Sequence, residues 1–192
     1  MGKIFYLMGK SSSGKDTLYK RILSDDRINL DTIIPYTTRP IRDGEVDGIE
    51  YHFVTESQLH EIEKSGKLIE LRSYDTFHGV WNYFTVDDGQ IDLVNKNYIV
   101  IGTIESYCEM RDYFGEQTVI PIMIDLDDGV RLQRALSREI SQQVPKYEEL
   151  CRRFLADAID FSDEKMEQAG IKKIFHNDDL EHCLEEIISY ME

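Results

Sequence analysis

Apolar residues fall into short runs, separated by stretches in which they recur every three or four positions. KIFYLM at 3–8, YIVIGT at 98–103 and TVIPIMID at 118–125 read as strands buried on both faces. TIIPY at 32–36 is strand-like and is marked as an edge or an end by Pro35. Leu18, Ile22 and Leu23 have helical spacing over 14–24, and further helices are expected at about 105–114, 127–139, 146–169 and 179–191. KKIFHN at 172–177 is a last strand. EYHFV at 50–54 alternates like a half-exposed strand. It leads into a helix with Thr55 and Gln58 as a capping box and Gly66 as a stop. Residues 67–74 and 79–86 form a strand pair around a turn. Strands alternating with helices predict an α/β fold whose mainly parallel sheet is flanked by helices. The stretch 37–86 breaks that rhythm and reads as a small β-rich insertion into one domain.

Composition narrows the functional classes. The 192 residues carry 37 acidic and 22 basic side chains, a formal net charge of −15. This argues against a general nucleic-acid binder, which needs a basic footprint, but leaves room for a small anion held by a few converging arginines. Cys108, Cys151 and Cys183 have neither disulfide nor metal-ligand spacing, so a reducing cytoplasm is the expected setting. No apolar run is long enough for a membrane span, and the first residues lack the layout of a signal peptide.

The chemistry is concentrated in GKSSSGKDT at 9–17. Gly9, four residues, Gly14 and Lys15 lie between a predicted strand and a predicted helix, the context of a phosphate-binding P-loop. Glycines let backbone N–H groups of Lys10, Ser11, Ser12 and Ser13 turn toward phosphate oxygens, the helix start adds partial positive charge, and Lys15 reaches the outer phosphates. The pattern asks for a hydroxyl at position 16. Asp16 stands there, with Thr17 one residue late, and a carboxylate at this point suits a Mg²⁺ ion. A second cluster, TTRPIRDGEVDGIEYHF at 37–53, sets Arg39 and Arg42 three residues apart with Tyr51 beyond. Two guanidinium forks and a phenol suit a phosphate monoester, although a solvated loop with two surface arginines is the plain alternative.

Together these residues resemble guanylate kinases across essentially the whole chain: the P-loop, then Arg39, Arg42, Glu45, Gly48, Tyr51 and Phe53 at the family's intervals, then HNDDL at 176–180. The resemblance implies a P-loop core (1–36 and 87–192), a substrate-binding insertion (about 37–86) and a lid near 138–148. It implies ATP with Mg²⁺ at residues 9–17 and Asn177. It puts the acceptor's phosphate on Arg39, Arg42 and Tyr51, with His78 and Gly79 beside it. Glu70 would read guanine, with Thr103 near the base. Arg134, Arg138 and Arg153 would close over the phosphoryl group alongside Lys15. The expected reaction is transfer from ATP to a nucleoside monophosphate, GMP foremost. Departures stand at Pro35, His78, Ile101 and Thr103, where the family commonly has a serine, a tyrosine and two aspartates. The alternatives are a same-fold kinase of another phosphorylated acceptor, such as a ribosyl bisphosphate, and a non-catalytic interaction module.

Overall fold

The structure is a computed structural model and describes residues 2–42, 44–76 and 79–192. Its centre is β1 (Ile4–Gly9), every residue of which is buried. Alternation along this strand divides the core. Ile4, Tyr6 and Met8 enter one apolar layer, whereas Phe5 and Leu7 enter the other. The first layer is closed by Ile104, Tyr107 and Met110 of α3 (Ile104–Phe114). The second is closed by Leu18 and Ile22 of α1 (Lys15–Leu23) and by Ile187 and Ile188 of α7 (Leu180–Met191). Among the described residues the sheet runs β2 (Asp31–Thr32), β7 (Tyr98–Ile101), β1, β8 (Val119–Asp125) and β9 (Ile174–His176), with every pairing parallel. The chain is therefore α/β, with a parallel sheet covered by helices on both faces.

A second sheet has the order β4 (His52–Phe53), β3 (Tyr36–Thr37), β6 (Gly79–Val86), β5 (Leu68–Thr76). Its small core of Leu59, Phe84 and Val86 is closed by α2 (Glu56–Ser65). The Thr55–Gln58 capping box starts this helix, and Gly66 at φ 70° ends it.

Two elements differ from expectation. The strand at 32–36 is split: Asp31–Thr32 pairs with β7, whereas Tyr36–Thr37 pairs with β6 and β4. Pro35 lies between and offers no N–H to a ladder, so the chain changes sheets there. The helix at 146–169 is also split, into α5 (Tyr147–Asp160) and α6 (Asp163–Gln168). Phe161 turns inward to the core, and the Ser162 hydroxyl accepts from Lys165 N to start α6. Helix α4 (Asp128–Ile140) precedes α5, and the buried Glu139 carboxylate accepts from Lys146 N to close the polar link. No helix among the described residues is long and apolar enough to cross a membrane.

Candidate functional site

The loop between β1 and α1 is forced by its neighbours. A Cβ on Gly9 would stand 2.6 Å from the Ile124 carbonyl oxygen and 2.9 Å from Ser13 Oγ, so the strand end admits glycine alone. Ser12 (φ 63°) and Gly14 (φ 92°) both take the left-handed conformation, which reverses the chain into α1. Gly14 caps α1 without a side chain, so the helix start has no side-chain cap bond. Asn177, just after β9, donates Nδ2 to the Ser13 carbonyl at 2.7 Å. A Cβ on Gly14 would overlap that amide. Ser13 Oγ and Asn177 Oδ1 are buried at the loop with no hydrogen-bond partner among the described residues.

Cations gather around this loop. Lys15 and Arg134 have no ion pair or side-chain hydrogen bond among the described residues. Arg134 Nη1 lies 3.8 Å from where a Gly14 Cβ would stand. Arg138 Nη2 donates to Ser12 Oγ at 3.3 Å. Arg153 shares a crevice with Ser11, Ser12 and Arg138 while reaching Glu149 at 3.5 Å. Sequence reading missed what anchors this group. Arg131, only 1% exposed, donates to the Ser11 carbonyl (2.8 Å), Asp128 (2.7 Å) and Asp157 (3.3 Å) and lies over the Phe154 ring. Asp157 in turn accepts from Ser11 N at 2.8 Å, and Lys10 reaches Asp128 at 3.3 Å. The signal was present: Arg131 lies one turn before Arg134 and continues the arginine row. Asp16 is exposed in the first turn of α1 and has no ion pair among the described residues.

A cleft of about 580 Å³ opens between the second sheet, the end of β7 and the start of α5. Arg42, Tyr51 and Tyr83 line one part of it, Pro35 and Ile101 another, and Glu149 and Arg152 the helical side. Burial holds the Tyr51 phenol above its ordinary pKa, so it remains a donor. The Arg42 side chain has no hydrogen bond or ion pair among the described residues. Arg39 lies behind Tyr51, 3% exposed, with its guanidinium over the Tyr51 and Phe53 rings. Both of its terminal nitrogens reach Glu45, at 2.7 and 2.5 Å. This forked bond, helped by Arg42 N–H, draws the Glu45 carboxyl down to about 2.

Glu70 and Thr103, like Arg39, are engaged by neighbouring side chains, and one expected residue lies outside the described residues. Glu70 is 1% exposed and is absent from the cleft wall. Its Oε2 accepts from Arg72 Nε at 2.9 Å, and its Oε1 from Thr85 Oγ1 at 2.8 Å and Arg72 Nη2 at 3.3 Å. Arg72, which the sequence reading passed over, occupies the cleft wall instead. Glu-x-Arg on a strand places both side chains on one face, which is the signal that could have found it. Thr103 caps α3: its hydroxyl accepts from Ser106 N and contacts Ser106 Oγ at 3.1 Å. Gly79 opens β6 opposite Thr76. His78 is the one outside the described residues.

Known proteins fit this arrangement. The chain is 37% identical to a guanylate kinase of Lactiplantibacillus plantarum over 79 residues, which is 41% of this chain and 38% of the relative. It is 42% identical to one of Schizosaccharomyces pombe over 95 residues, 49% of this chain and 46% of the relative. Those two matches thus span under half of each relative's length. A guanylate kinase of Wolbachia pipientis wMel is 27% identical over 194 residues, covering 99% of this chain and 89% of the relative. The crystal structure of guanylate kinase from Anaplasma phagocytophilum superposes with a TM-score of 0.66 at 21% identity, covering 99% of this chain and 84% of that one, a likeness of fold. The family model for guanylate kinase matches residues 1–97, from β1 through the glycine loop and the whole second sheet, and the chain belongs to the guanylate kinase family.

Proposed function

We propose that this protein transfers the γ-phosphate of ATP to the phosphate of a nucleoside monophosphate, GMP foremost, as its family membership suggests. One observation carries the reading. Arg153 of α5 borders the glycine loop beside Ser11 and Ser12, while its neighbour Arg152 borders the cleft that holds Arg42 and Tyr51. Two anion-suited sites therefore meet along one helical turn, which is what transfer between two phosphates requires.

Backbone N–H groups of Lys10, Ser12, Gly14, Lys15 and Asp16 would cradle the ATP phosphates, those of Ser11, Ser13 and Thr17 being given to Asp157, Lys10 and Gly14, with the Lys15 side chain on the outer phosphates and Asn177 holding the loop's shape. Arg42, Tyr51 and the Glu45-braced Arg39 would fix the acceptor phosphate. That phosphate is already an anion near neutral pH, so no strong base is needed, and rate comes from alignment and charge neutralisation. Arg134, Arg138 and Arg153 of the α4–α5 hairpin would balance charge on the transferring group and exclude water. The donor set also suits Mg²⁺. An exposed carboxylate with no ion pair among the described residues, Asp16, stands at the loop, and this ion takes one or two carboxylates plus substrate phosphates. When bound, Mg²⁺ would supply charge neutralisation between the phosphates.

The test is ADP formation from ATP with GMP, IMP, AMP, UMP, CMP and a ribosyl bisphosphate as acceptors. A nucleoside monophosphate should give the highest kcat/KM. Lys15→Ala should lower that value by about 10²–10³-fold with the melting temperature kept. ADP formation independent of any acceptor, preference for the bisphosphate, or a Lys15→Ala variant with more than about a tenth of parental activity would each overturn the reading.

A further inference from the structure

Arg134, Arg138 and Arg153 occupy the face of the α4–α5 hairpin that is turned to the glycine loop. The opposite face has another composition. On α4, Leu132, Leu136 and Ile140 recur every four residues, and on α5 Cys151, Leu155 and Ile159 do the same. All six are exposed, the leucines and isoleucines by 40% to 66%.

Each row stands one residue after the row that packs the two helices together, which is Arg131 and Ala135 on α4 and Leu150 and Phe154 on α5. One residue turns the helix by about 100°. Arg131 bonds Asp157 at the far end of the hairpin and Glu139 bonds Lys146 near its turn, so the helices run antiparallel. Equal rotations on antiparallel helices bring both rows out on the same side. Leu132 then stands level with Leu155, and Leu136 with Cys151. The helices have 13 and 14 residues, so the joint face is about 20 Å long and about 20 Å wide. Glu148 and Arg152 supply charge only at its edge. A contiguous apolar patch of roughly 400 Å² is of the size that marks a contact surface.

Charge and symmetry point to a second copy of this chain as the occupant. Residues 128–160 carry six acidic and six basic side chains, so the net charge of −15 lies wholly on the rest of the chain. Two copies that meet by this hairpin bring neutral segments together, whereas the remainder of each repels the other. The face is also self-complementary. A two-fold axis lying in its plane, whether along or across the helices, sets every helix against an antiparallel neighbour from the second copy, the packing of four-helix bundles. With side chains standing proud of the plane, such a pair removes about 1,000–1,200 Å² from water, the least that a specific contact needs.

We propose that the outer face of the α4–α5 hairpin joins two copies of this chain in a reversible two-fold dimer. The arginine face of each hairpin stays open to its own glycine loop.

Sedimentation velocity between about 1 and 100 µM chain tests this, since an interface of this size dissociates in that range. The mass should move from one chain toward two, and a single chain throughout would overturn the proposal. Added salt should tighten the pair, because it screens repulsion between the acidic chains and leaves apolar contact in place; a pair that loosens in salt would be ionic and would overturn it. Leu155→Glu and Ile159→Glu each put a charge on the face, and each should weaken the pair at least about tenfold. Both positions are exposed, so the Tm of the dilute protein should hold. Val94→Glu is the control, at an exposed apolar residue beside the β1 start and at the other end of the main sheet. Equal weakening by Val94→Glu, or a pair untouched by both hairpin variants, would overturn the assignment of the face. On the unaltered protein, alkylation of the exposed Cys151 by a bulky maleimide should slow as the chain concentration rises through the same range. A rate independent of concentration would also overturn it.

Discussion

Replacing Gly14 with alanine tests the geometry of the loop most directly. The residue sits at φ 92°, where a side chain costs about 1–3 kcal/mol. The added methyl would also stand roughly 1 Å inside ordinary contact with Asn177 Nδ2. Relief requires Asn177 to swing away, which breaks its 2.7 Å bond to the Ser13 carbonyl and strands two buried groups, a further cost of about 1–3 kcal/mol. The sum, about 2–6 kcal/mol, corresponds to a fall in Tm of roughly 5–20 °C for a chain of this size. Calorimetry or dichroism on Gly14→Ala, Asn177→Ala and the double variant would separate the two parts. In the Asn177→Ala background the clash is gone, so Gly14→Ala should cost only the backbone strain, leaving a coupling of about 1–3 kcal/mol. Equal costs in both backgrounds, or a shift under about 2 °C in the single variant, would refute the packing of Asn177 against the loop.

Asp16→Asn should raise the Mg²⁺ concentration needed for half-maximal turnover with little change in Tm, since the carboxylate is exposed and has no ion pair among the described residues; an unmoved Mg²⁺ titration would assign Asp16 no role toward the ion. Glu45→Gln should loosen Arg39 and raise KM for every acceptor alike, whatever base it carries, and steady-state kinetics with GMP and AMP would show it. The same variant carries a pH signature. The Glu45 carboxyl is drawn from its ordinary 4.5 to about 2, so its stabilisation is complete above 4.5 and is lost as pH falls toward 2. The Tm gap between parent and Glu45→Gln should therefore shrink from pH 5 to pH 3, and a constant gap would contradict the pairing.

The strands of the main sheet were legible because they are buried on both faces and read as unbroken apolar runs, as in β1 and β8. Capping residues likewise announced α2 through Thr55, Gln58 and Gly66. The breaks were harder to see. Proline alone does not say that Asp31–Thr32 and Tyr36–Thr37 belong to different sheets, because their partners Tyr98–Ile99 and Tyr83–Phe84 lie far along the chain. Phe161 looked like one more apolar position in a long helix, and only the three-dimensional core shows that it must turn inward there. At the site, the glycine loop was readable because its chemistry is local: spacing, backbone and a helix start. The surroundings of Glu70 were not readable in the same way, because its hydrogen-bond partners are Arg72 two residues on and Thr85 across the ladder.

The ion cluster of Arg131, Asp128 and Asp157 has a mechanical consequence. It fastens the first turn of α4 and the last turns of α5 to the same backbone residue, Ser11. The two helices are thereby two arms on one pivot. Arg138 lies seven residues out along one arm, about 10 Å, and Arg153 four residues out along the other, about 6 Å. A tilt of about 10° about the pivot would carry Arg138 by roughly 2 Å and Arg153 by roughly 1 Å. The glycine loop, being the pivot, would hardly move. In the proposed reaction the glycine loop and the arginines around it would act as anvil and hammer: one would keep its shape through each stroke, and the other's reach would be set by helix length.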